Sequence, residues 1–318
     1  MGKTKGSRGK RVLVTELQVL FPKGQCFFST NQRERFFSGI PDQKSTGTER
    51  KRLGLLRSTG GSYTVCMTIL DHEFVEIPTP TGPMRTHLFR PAAPGRYPAI
   101  LFFSEIFQVT GPIRRTAAML AGHGYVVGVP EIYHEYEPAG SVLAYDAAGA
   151  DRGNLLKITK PVAAYDGDAR AALEYLRAHE ASTGSVGVMG ICIGGHLAFR
   201  AAMNPGVRAV ACFYPTDIHQ GSLGQGKKDD SLARAAAGEI GAELLLVFGR
   251  QDPHIPLEGR RKIQRVLEEV GARYQWMEFN AAHAFLRDEG PRYDPALART
   301  CYGLVLELFG RRLGAGDC

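Results

Sequence analysis

A cysteine stands among small residues in GVMGICIGGHLAFRA, residues 187–201, with an apolar run before it and a helix-like run after it. Gly190, Cys192 and Gly194 form a G-x-C-x-G pattern, the thiol version of the nucleophile elbow, a sharp turn between a strand and a helix. The glycines allow the turn without Cβ clashes, and the N-terminus of the following helix favours a thiolate. The pattern predicts that Cys192 is a nucleophile; packing of a small buried cysteine is the alternative.

An acid and then a histidine follow in the order that such a nucleophile requires. Asp252 comes shortly after the apolar run LLLVFG, and His283 comes shortly after RYQWMEF. Each would lie at the C-terminal end of a strand, so the order predicts a triad of Cys192, His283 and Asp252. In it the histidine takes the thiol proton and the acid orients the histidine. His254, on the loop of Asp252, is a competing histidine that we expect to pack or cap there.

The elements that must position these residues alternate along the chain. Apolar runs predict strands at EFVEI, MRTHLF, YPAILFF, YVVGVP, SVGVMG, VRAVACFY, ELLLVFG and RYQWMEF, the first two forming an antiparallel hairpin. Helical spacing predicts helices at GPIRRTAAMLAGHG, around 165–176, and at IGGHLAFRAAMN, LEGRRKIQRVLEEVG and 297–309. The alternation predicts an α/β fold, a mostly parallel central sheet with helices on both faces. Residues 131–162 are polar, and we expect an irregular insertion over the C-terminal edge of the sheet.

The positive charge is confined to the N-terminal segment. Residues 1–66 contain 13 Lys+Arg and 4 Asp+Glu, whereas residues 67–318 contain 26 and 28. The segment lacks periodicity and is predicted to be a basic, disordered extension. Residues 67–318 are predicted to form one domain, and the change of composition motivates the hypothesis that Met67 is the true start. The domain has no interleaved basic and aromatic stripe, so no nucleic-acid partner is expected.

The cysteine pattern and the lengths of the apolar runs predict where the protein is located and whether it associates with a membrane. The six cysteines contain no C-x-x-C pair, and without a convincing secretory signal we expect reduced thiols and a cytoplasmic location. We interpret Cys212 as strand core, Cys301 as helix core and Cys318 as tail. The apolar runs are far shorter than the ~18 residues of a membrane span, so no membrane association is expected.

A cluster of acidic residues and a histidine occurs in PEIYHEYEP: Glu131, His134, Glu135 and Glu137. Their spacing fits no His-x-x-x-His metal pattern, and we expect these side chains to line a mouth or face solvent. Neither a metal nor an organic cofactor is expected. The sequence gives no indication of the oligomeric state.

From about residue 67 to its end, the sequence resembles the dienelactone hydrolase family, which has the α/β-hydrolase fold. The motifs that carry the resemblance are SEIFQVTGPIRR, GICIGGH, GRQDPHIP and AHAFLR. The resemblance implies that Cys192 is the nucleophile, His283 its base and Asp252 the partner that orients the base. It also implies an oxyanion hole formed by the backbone N–H groups of Ile106 and Ile193.

The resemblance implies three further site residues. Glu105 matches a glutamate that contacts the nucleophile in the resting enzyme and helps to deprotonate the thiol when substrate arrives. Arg287 matches an arginine that holds a substrate carboxylate, a task suited to a planar guanidinium. From the residues alone, an ion pair of Arg287 with Asp288 or Glu289 is the alternative. The family's second arginine falls in the insertion, where Arg152 is the nearest candidate.

These residues together predict a cofactor-free cysteine hydrolase that cleaves a lactone or ester of a small molecule through a thioester intermediate. The resemblance favours an enol-lactone of the dienelactone type. A general carboxylesterase of the same fold is the nearest alternative. A non-catalytic binding relative and a thiol redox sensor at Cys192 are alternatives from other classes, the latter weakened because no resolving cysteine is evident.

Overall fold

The computed structural model describes residues 68–314 and, before them, two short strands, β1 (Val19–Leu20) and β2 (Phe27–Phe28), which pair antiparallel. The chain divides into two units, Met1–Thr68 and Ile69–Cys318. The expectations about disorder in residues 1–66, the start at Met67 and the tail at Cys318 lie outside the described residues.

The second unit contains an eight-stranded sheet in the order β10-β9-β8-β7-β5-β6-β4-β3. The pairs β3/β4 and β4/β6 are antiparallel and the other neighbouring pairs are parallel, which confirms the predicted mostly parallel sheet with a hairpin at one edge. The strands are β3 (Ile69–Thr79), β4 (Gly82–Pro91), β5 (Tyr97–Phe103), β6 (Val126–Pro130), β7 (Ser182–Ile191), β8 (Val207–Phe213), β9 (Glu243–Gly249) and β10 (Tyr274–Phe279).

Seven α-helices lie among the described residues, with one short 3₁₀ turn at Gln225–Lys227. They are α1 (Gly111–Gly122), α2 (Ala147–Thr159), α3 (Val162–Ala178), α4 (Ile193–Ala201), α5 (Ser231–Ala236), α6 (Leu257–Glu269) and α7 (Pro295–Leu313). Every residue of β5 and β6 is buried, so both faces of these strands are covered, as expected for parallel strands in an α/β fold. In the described part of the chain, no helix is long and apolar enough to cross a membrane.

Helix α2 corrects the expectation of an irregular insertion over residues 131–162. The Asp146 side chain caps this helix by accepting a hydrogen bond of 2.8 Å from the Gly149 N–H. The buried residues of α2 are Gly149, Gly153 and Leu156, so the packed face is made mostly of glycine and shows no apolar stripe in the sequence. A Cβ on Gly153 would lie 2.7 Å from the Ile106 carbonyl oxygen, and this close contact requires glycine.

The carboxyl ends of the central strands meet at one edge of the sheet. Phe103 of β5 pairs with Gly190 of β7, Ile191 with Phe213 of β8, and Phe213 with Val247 of β9. At the far side, Gly249 of β9 pairs with Phe279 of β10. The loops that follow these strands therefore begin next to one another, which is where an open α/β sheet places its binding site.

Candidate active site

Cys192 lies in a strained turn between β7 and α4. Its φ is +62°, a value that side chains other than glycine rarely adopt, and strain of this kind is concentrated at functional sites. Its N–H donates a 3.0 Å hydrogen bond to the Phe213 carbonyl. A Cβ on Gly190 would lie 1.8 Å from the Gly194 carbonyl oxygen, and one on Gly194 would lie 2.3 Å from the Phe103 carbonyl oxygen. Only glycine fits at these two positions, so the G-x-C-x-G spacing is a requirement of the turn.

The loops after β9 and β10 bring Asp252 and His283 together. The His283 Nδ1 lies 2.6 Å from the Asp252 Oδ2, and both residues are buried. Since Nδ1 is occupied, the other ring nitrogen is the one available to Cys192. Burial alone would lower the pKa of His283, but the charge of Cys192 and the hydrogen bonds to Asp252 and Cys192 raise this pKa to about 9.

A cavity of about 480 Å³ opens over this edge of the sheet. Cys192 and His283 both line it, so the thiol and the imidazole face the space in which a ligand would lie. His254 also lines the cavity, and its ring packs edge-on against that of His283 with centroids 4.7 Å apart. Its backbone N–H donates a 2.8 Å hydrogen bond to the Asp252 Oδ1, so the expectation that His254 packs or caps here is confirmed.

The backbone N–H groups of Ile106 and Ile193 make no hydrogen bond with the described residues. Ile193 is the first residue of α4, where the N–H groups of the first turn have no partner within the helix. Ile106 follows β5 and lines the cavity. Two N–H donors without acceptors among the described residues, one beside the cavity and one next to the thiol, are therefore free to bind an oxygen atom of a ligand.

Glu105 is 3% exposed, and its carboxylate accepts a hydrogen bond from the Tyr145 hydroxyl. The carboxylate also lies 3.8 Å from the Arg287 guanidinium. Burial raises the pKa of Glu105, against the opposing effects of Tyr145 and Arg287. The resemblance implied a contact between Glu105 and the nucleophile, whereas in this structure Glu105 bonds to Tyr145.

Arg287 lines the cavity, and its guanidinium lies 4.2 Å from the centroid of the Tyr145 ring. Asp288 and Glu289 do not pair with it, because both bind Arg115, at 2.6 and 2.7 Å. The alternative that an adjacent acid neutralises Arg287 is therefore wrong. Arg287 lines the same cavity as Cys192 and makes only the 3.8 Å ion pair with Glu105 among the described acids, so its planar group of donors can still bind an anionic group of a ligand.

Arg152 is not brought to the cavity. It is largely exposed and pairs with Glu137 at 2.7 Å, so it does not supply the second arginine that the resemblance assigned to it. Arg292 lines the cavity instead, in the loop between His283 and α7. Sequence reasoning missed Arg292, Tyr145, Lys157 and Asp217, and no spacing rule of the elbow or the triad points to them.

In the loop after β6, Glu131 is buried, Glu135 and Glu137 are half-buried, and none of them lines the cavity, which corrects the expectation that they line a mouth or face solvent. Glu131 is 1% exposed and lies 2.8 Å from His87. His134 and Glu135 join Asp168 around the Lys160 ammonium, which lies 2.7 Å from Glu135. Lys160 is fully buried and serves as the cation of this cluster.

The sheet, the strained cysteine turn and the adjacent His283–Asp252 pair define an α/β-hydrolase with a thiol at the position of the nucleophile. Comparison with known proteins agrees. The model of the dienelactone hydrolase family matches residues 84–313, and the chain therefore belongs to this family.

Two similar proteins agree with that assignment, and a solved structure agrees with the fold. A Saccharomyces cerevisiae protein described as "Putative carboxymethylenebutenolidase" is 39% identical over 256 residues, which cover 77% of this chain and 93% of that protein. A Pseudomonas putida carboxymethylenebutenolidase is 29% identical over 200 residues, 62% of this chain and 78% of that enzyme. The solved structure of a dienelactone hydrolase-like promiscuous phosphotriesterase from metagenomic libraries superposes with a TM-score of 0.60 at 20% identity, over 78% of this chain and 99% of its own.

Proposed function

We propose that the chain hydrolyses a lactone or ester of a small molecule through a Cys192–His283–Asp252 triad, a dienelactone being the leading substrate type. His283 takes the thiol proton and the thiolate attacks the carbonyl carbon. The C–O bond breaks to leave a thioester, and the imidazolium returns its proton to the departing alkoxide. Water, deprotonated by His283, then attacks the thioester carbon, releasing the carboxylic acid and restoring the thiol.

The neighbouring groups support each stage of this reaction. The N–H groups of Ile106 and Ile193 stabilise the oxyanion, an effect worth about 2.7–4 kcal/mol for each donor in known cases. Arg287 orients a carboxylate on the substrate. The family resemblance also assigns Glu105 a part in deprotonating the thiol. To reach the thiol, its carboxylate has to leave Tyr145, and an anion that binds Arg287 weakens another of the contacts that hold it.

The observation that carries the proposal is the 2.6 Å pair of His283 and Asp252 on the loops next to a cysteine held at positive φ. Backbone strain of this kind clusters at functional sites, and a buried His–Asp pair next to the strained cysteine favours nucleophilic catalysis over binding alone. A cytoplasmic location is proposed with it, because a thiol nucleophile has to stay reduced.

The test compares hydrolysis of a dienelactone and of p-nitrophenyl acetate by the wild type, Cys192→Ala and Cys212→Ala. Cys212 is a matched control because it is fully buried in β8, in agreement with its interpretation as strand core. We expect hydrolysis to disappear in Cys192→Ala and to remain in Cys212→Ala. Activity on the aryl ester alone would favour the general carboxylesterase. An inactive wild type with an unreactive Cys192 would favour the non-catalytic relative.

A further inference from the structure

The charged residues that line the cavity include two groups. The first group contains Glu105, Arg287 and Arg292, and the charges of the two arginines act on Glu105. The second contains Lys157 and Asp217, which form an ion pair with each other. The first group is already assigned to a substrate carboxylate, whereas nothing in the proposed reaction uses the second.

The second group is a fixed, largely desolvated ion pair. Lys157 of α2 lies 3.0 Å from the Asp217 Oδ2 and 3.3 Å from its Oδ1, and the two side chains are 15% and 13% exposed. The Ser222 hydroxyl donates a 2.8 Å hydrogen bond to the same Oδ1. Although burial opposes ionisation, the charge of Lys157 keeps the pKa of Asp217 below its ordinary value. Asp217 therefore stays ionised, and its contacts hold the pair in one orientation.

The remaining hydrogen-bonding capacity of this pair defines the group that it can bind. Lys157 has three N–H donors, and within the described chain two bonds lead from it to Asp217, which leaves one donor. The Asp217 carboxylate has about four acceptor sites, of which Lys157 and Ser222 use three, leaving one acceptor. A hydroxyl group donates and accepts at once, so it satisfies both. Asp217 would repel a carboxylate, and Lys157 would repel an ammonium group. An apolar group would exclude water from the ion pair and offer it no hydrogen bond in return.

The cavity has room for such an additional group. Its volume of about 480 Å³ falls within the ~300–1,000 Å³ range of sites for ligands larger than a single small ring. Asn154 and Gln220 line it on the side of Lys157 and Asp217 and offer further amide donors and acceptors. We propose that Lys157 and Asp217 form a hydroxyl-binding subsite, so that the substrate is an ester or lactone with a hydroxylated portion. This inference rests on the proposed function.

The test uses two matched pairs of esters. p-Nitrophenyl butyrate is compared with p-nitrophenyl 3-hydroxybutyrate, which varies the acyl part, and butyl acetate with 4-hydroxybutyl acetate, which varies the alcohol. We expect kcat/KM to be about tenfold higher for the hydroxylated member of one pair, as for a hydrogen bond to a charged group. The double variant Lys157→Met/Asp217→Gly removes both charges together, and glycine suits the φ of +68° at residue 217. In it the ratio should fall to near one, with the melting temperature of the variant as the reference for folding.

Binding to an inactive variant separates this inference from the proposed reaction. The same esters are titrated calorimetrically into Cys192→Ala and into Cys192→Ala carrying the double substitution. Tighter binding of a hydroxylated ester that is lost with the double substitution supports the subsite even if no ester is turned over. The proposal is overturned if neither pair differs by more than about twofold in rate or affinity, or if the preference survives in the double variant.

Discussion

Two clusters in this molecule contain the same kinds of residue, a nucleophile, a histidine and an aspartate, and they have opposite characters. The first is Cys192, His283 and Asp252 at the cavity. The second is Ser231, His196 and Asp229, in which the Ser231 Oγ lies 2.8 Å and the Asp229 Oδ2 3.2 Å from the His196 Nε2. All three side chains of the second cluster are buried, and they do not line the cavity.

The use of the ring nitrogens separates the two clusters. Asp252 binds His283 at Nδ1, which leaves the other nitrogen for the thiol. In the buried cluster both partners share the Nε2 of His196, and the Nδ1 of that ring has no hydrogen bond with the described residues. An imidazole relays a proton between two groups only when each has its own nitrogen. The residue types alone therefore do not define a catalytic triad. The histidine must bind its two partners through different ring nitrogens, and the nucleophile must face the cavity.

The buried cluster is held by Arg200 of α4. Its guanidinium donates to Asp229 at 2.7 Å and to Ser231 at 2.9 Å, and a second edge binds Asp166 of α3. Although burial opposes it, the hydrogen bond and charge of His196, with Ser231 and Arg200, lower the pKa of Asp229 to about 2. This network joins α3, α4 and the start of α5. It therefore stabilises α4, the helix that begins directly after Cys192.

The largest effect that distinguishes the clusters is expected from removing one aspartate charge. Asp252→Asn takes away the acceptor that sets the His283 tautomer, so kcat should fall by about 10³- to 10⁴-fold. Asp229→Asn is the matched control and should keep kcat near that of the wild type while lowering the melting temperature. Ester hydrolysis and thermal unfolding measure the two effects. An equal loss of kcat in Asp229→Asn would show that the buried cluster takes part in catalysis.

A second substitution tests the structural role of the buried cluster. Arg200→Met leaves the Asp229 carboxylate buried without its guanidinium, so the free energy of unfolding should fall by about 3–5 kcal/mol. Arg152→Met removes an exposed pair with Glu137 and should change it by about 0–1 kcal/mol. Urea denaturation gives both values. Similar midpoints for the two variants would contradict the assignment of Arg200 as the support of α4.

A smaller effect is expected at the cavity arginine. Arg287→Lys keeps the charge but loses the planar pair of donors, so KM for a carboxylate-bearing lactone should rise about tenfold while KM for p-nitrophenyl acetate stays unchanged. Steady-state kinetics on both substrates measure the ratio. A parallel change on the neutral ester would mean that Arg287 acts through Glu105 and not on a substrate carboxylate.

The sequence predicted the sheet and the positions of Cys192, Asp252 and His283 because backbone geometry determines them. Buried strands are continuous apolar runs, and in parallel strands the residue after each run lies at a common edge. Ile106 and Ile193 were named as oxyanion donors through the family resemblance, and they come just after β5 and β7, at the same edge of the sheet. The roles of these residues stay predictions until the variants are measured.

The cavity wall could not be predicted in this way, because it depends on pairing between distant side chains. Lys157 meets Asp217 across 60 positions, and Tyr145 meets Glu105 across 40. Arg152 was chosen for its place in the sequence, but Glu137 binds it on the outside. Helix α2 was missed because its buried face is mostly glycine, and α5 because six residues give no clear period.

The smallest expected effect is a pH dependence that separates His283 from a free histidine. Its pKa is raised from an ordinary value near 6.5 to about 9, so the imidazolium keeps its proton below pH 9 and loses it above. Because this proton goes to the departing alkoxide, kcat/KM should be about half its plateau near pH 9 and fall about tenfold per unit beyond. Asp252→Asn removes a charge and a hydrogen bond that raise this pKa, so its alkaline limb should move to lower pH. Asp229→Asn should leave the limb in place. If the pH at which kcat/KM falls is the same in Asp252→Asn and the wild type, the fall is caused by a group other than His283.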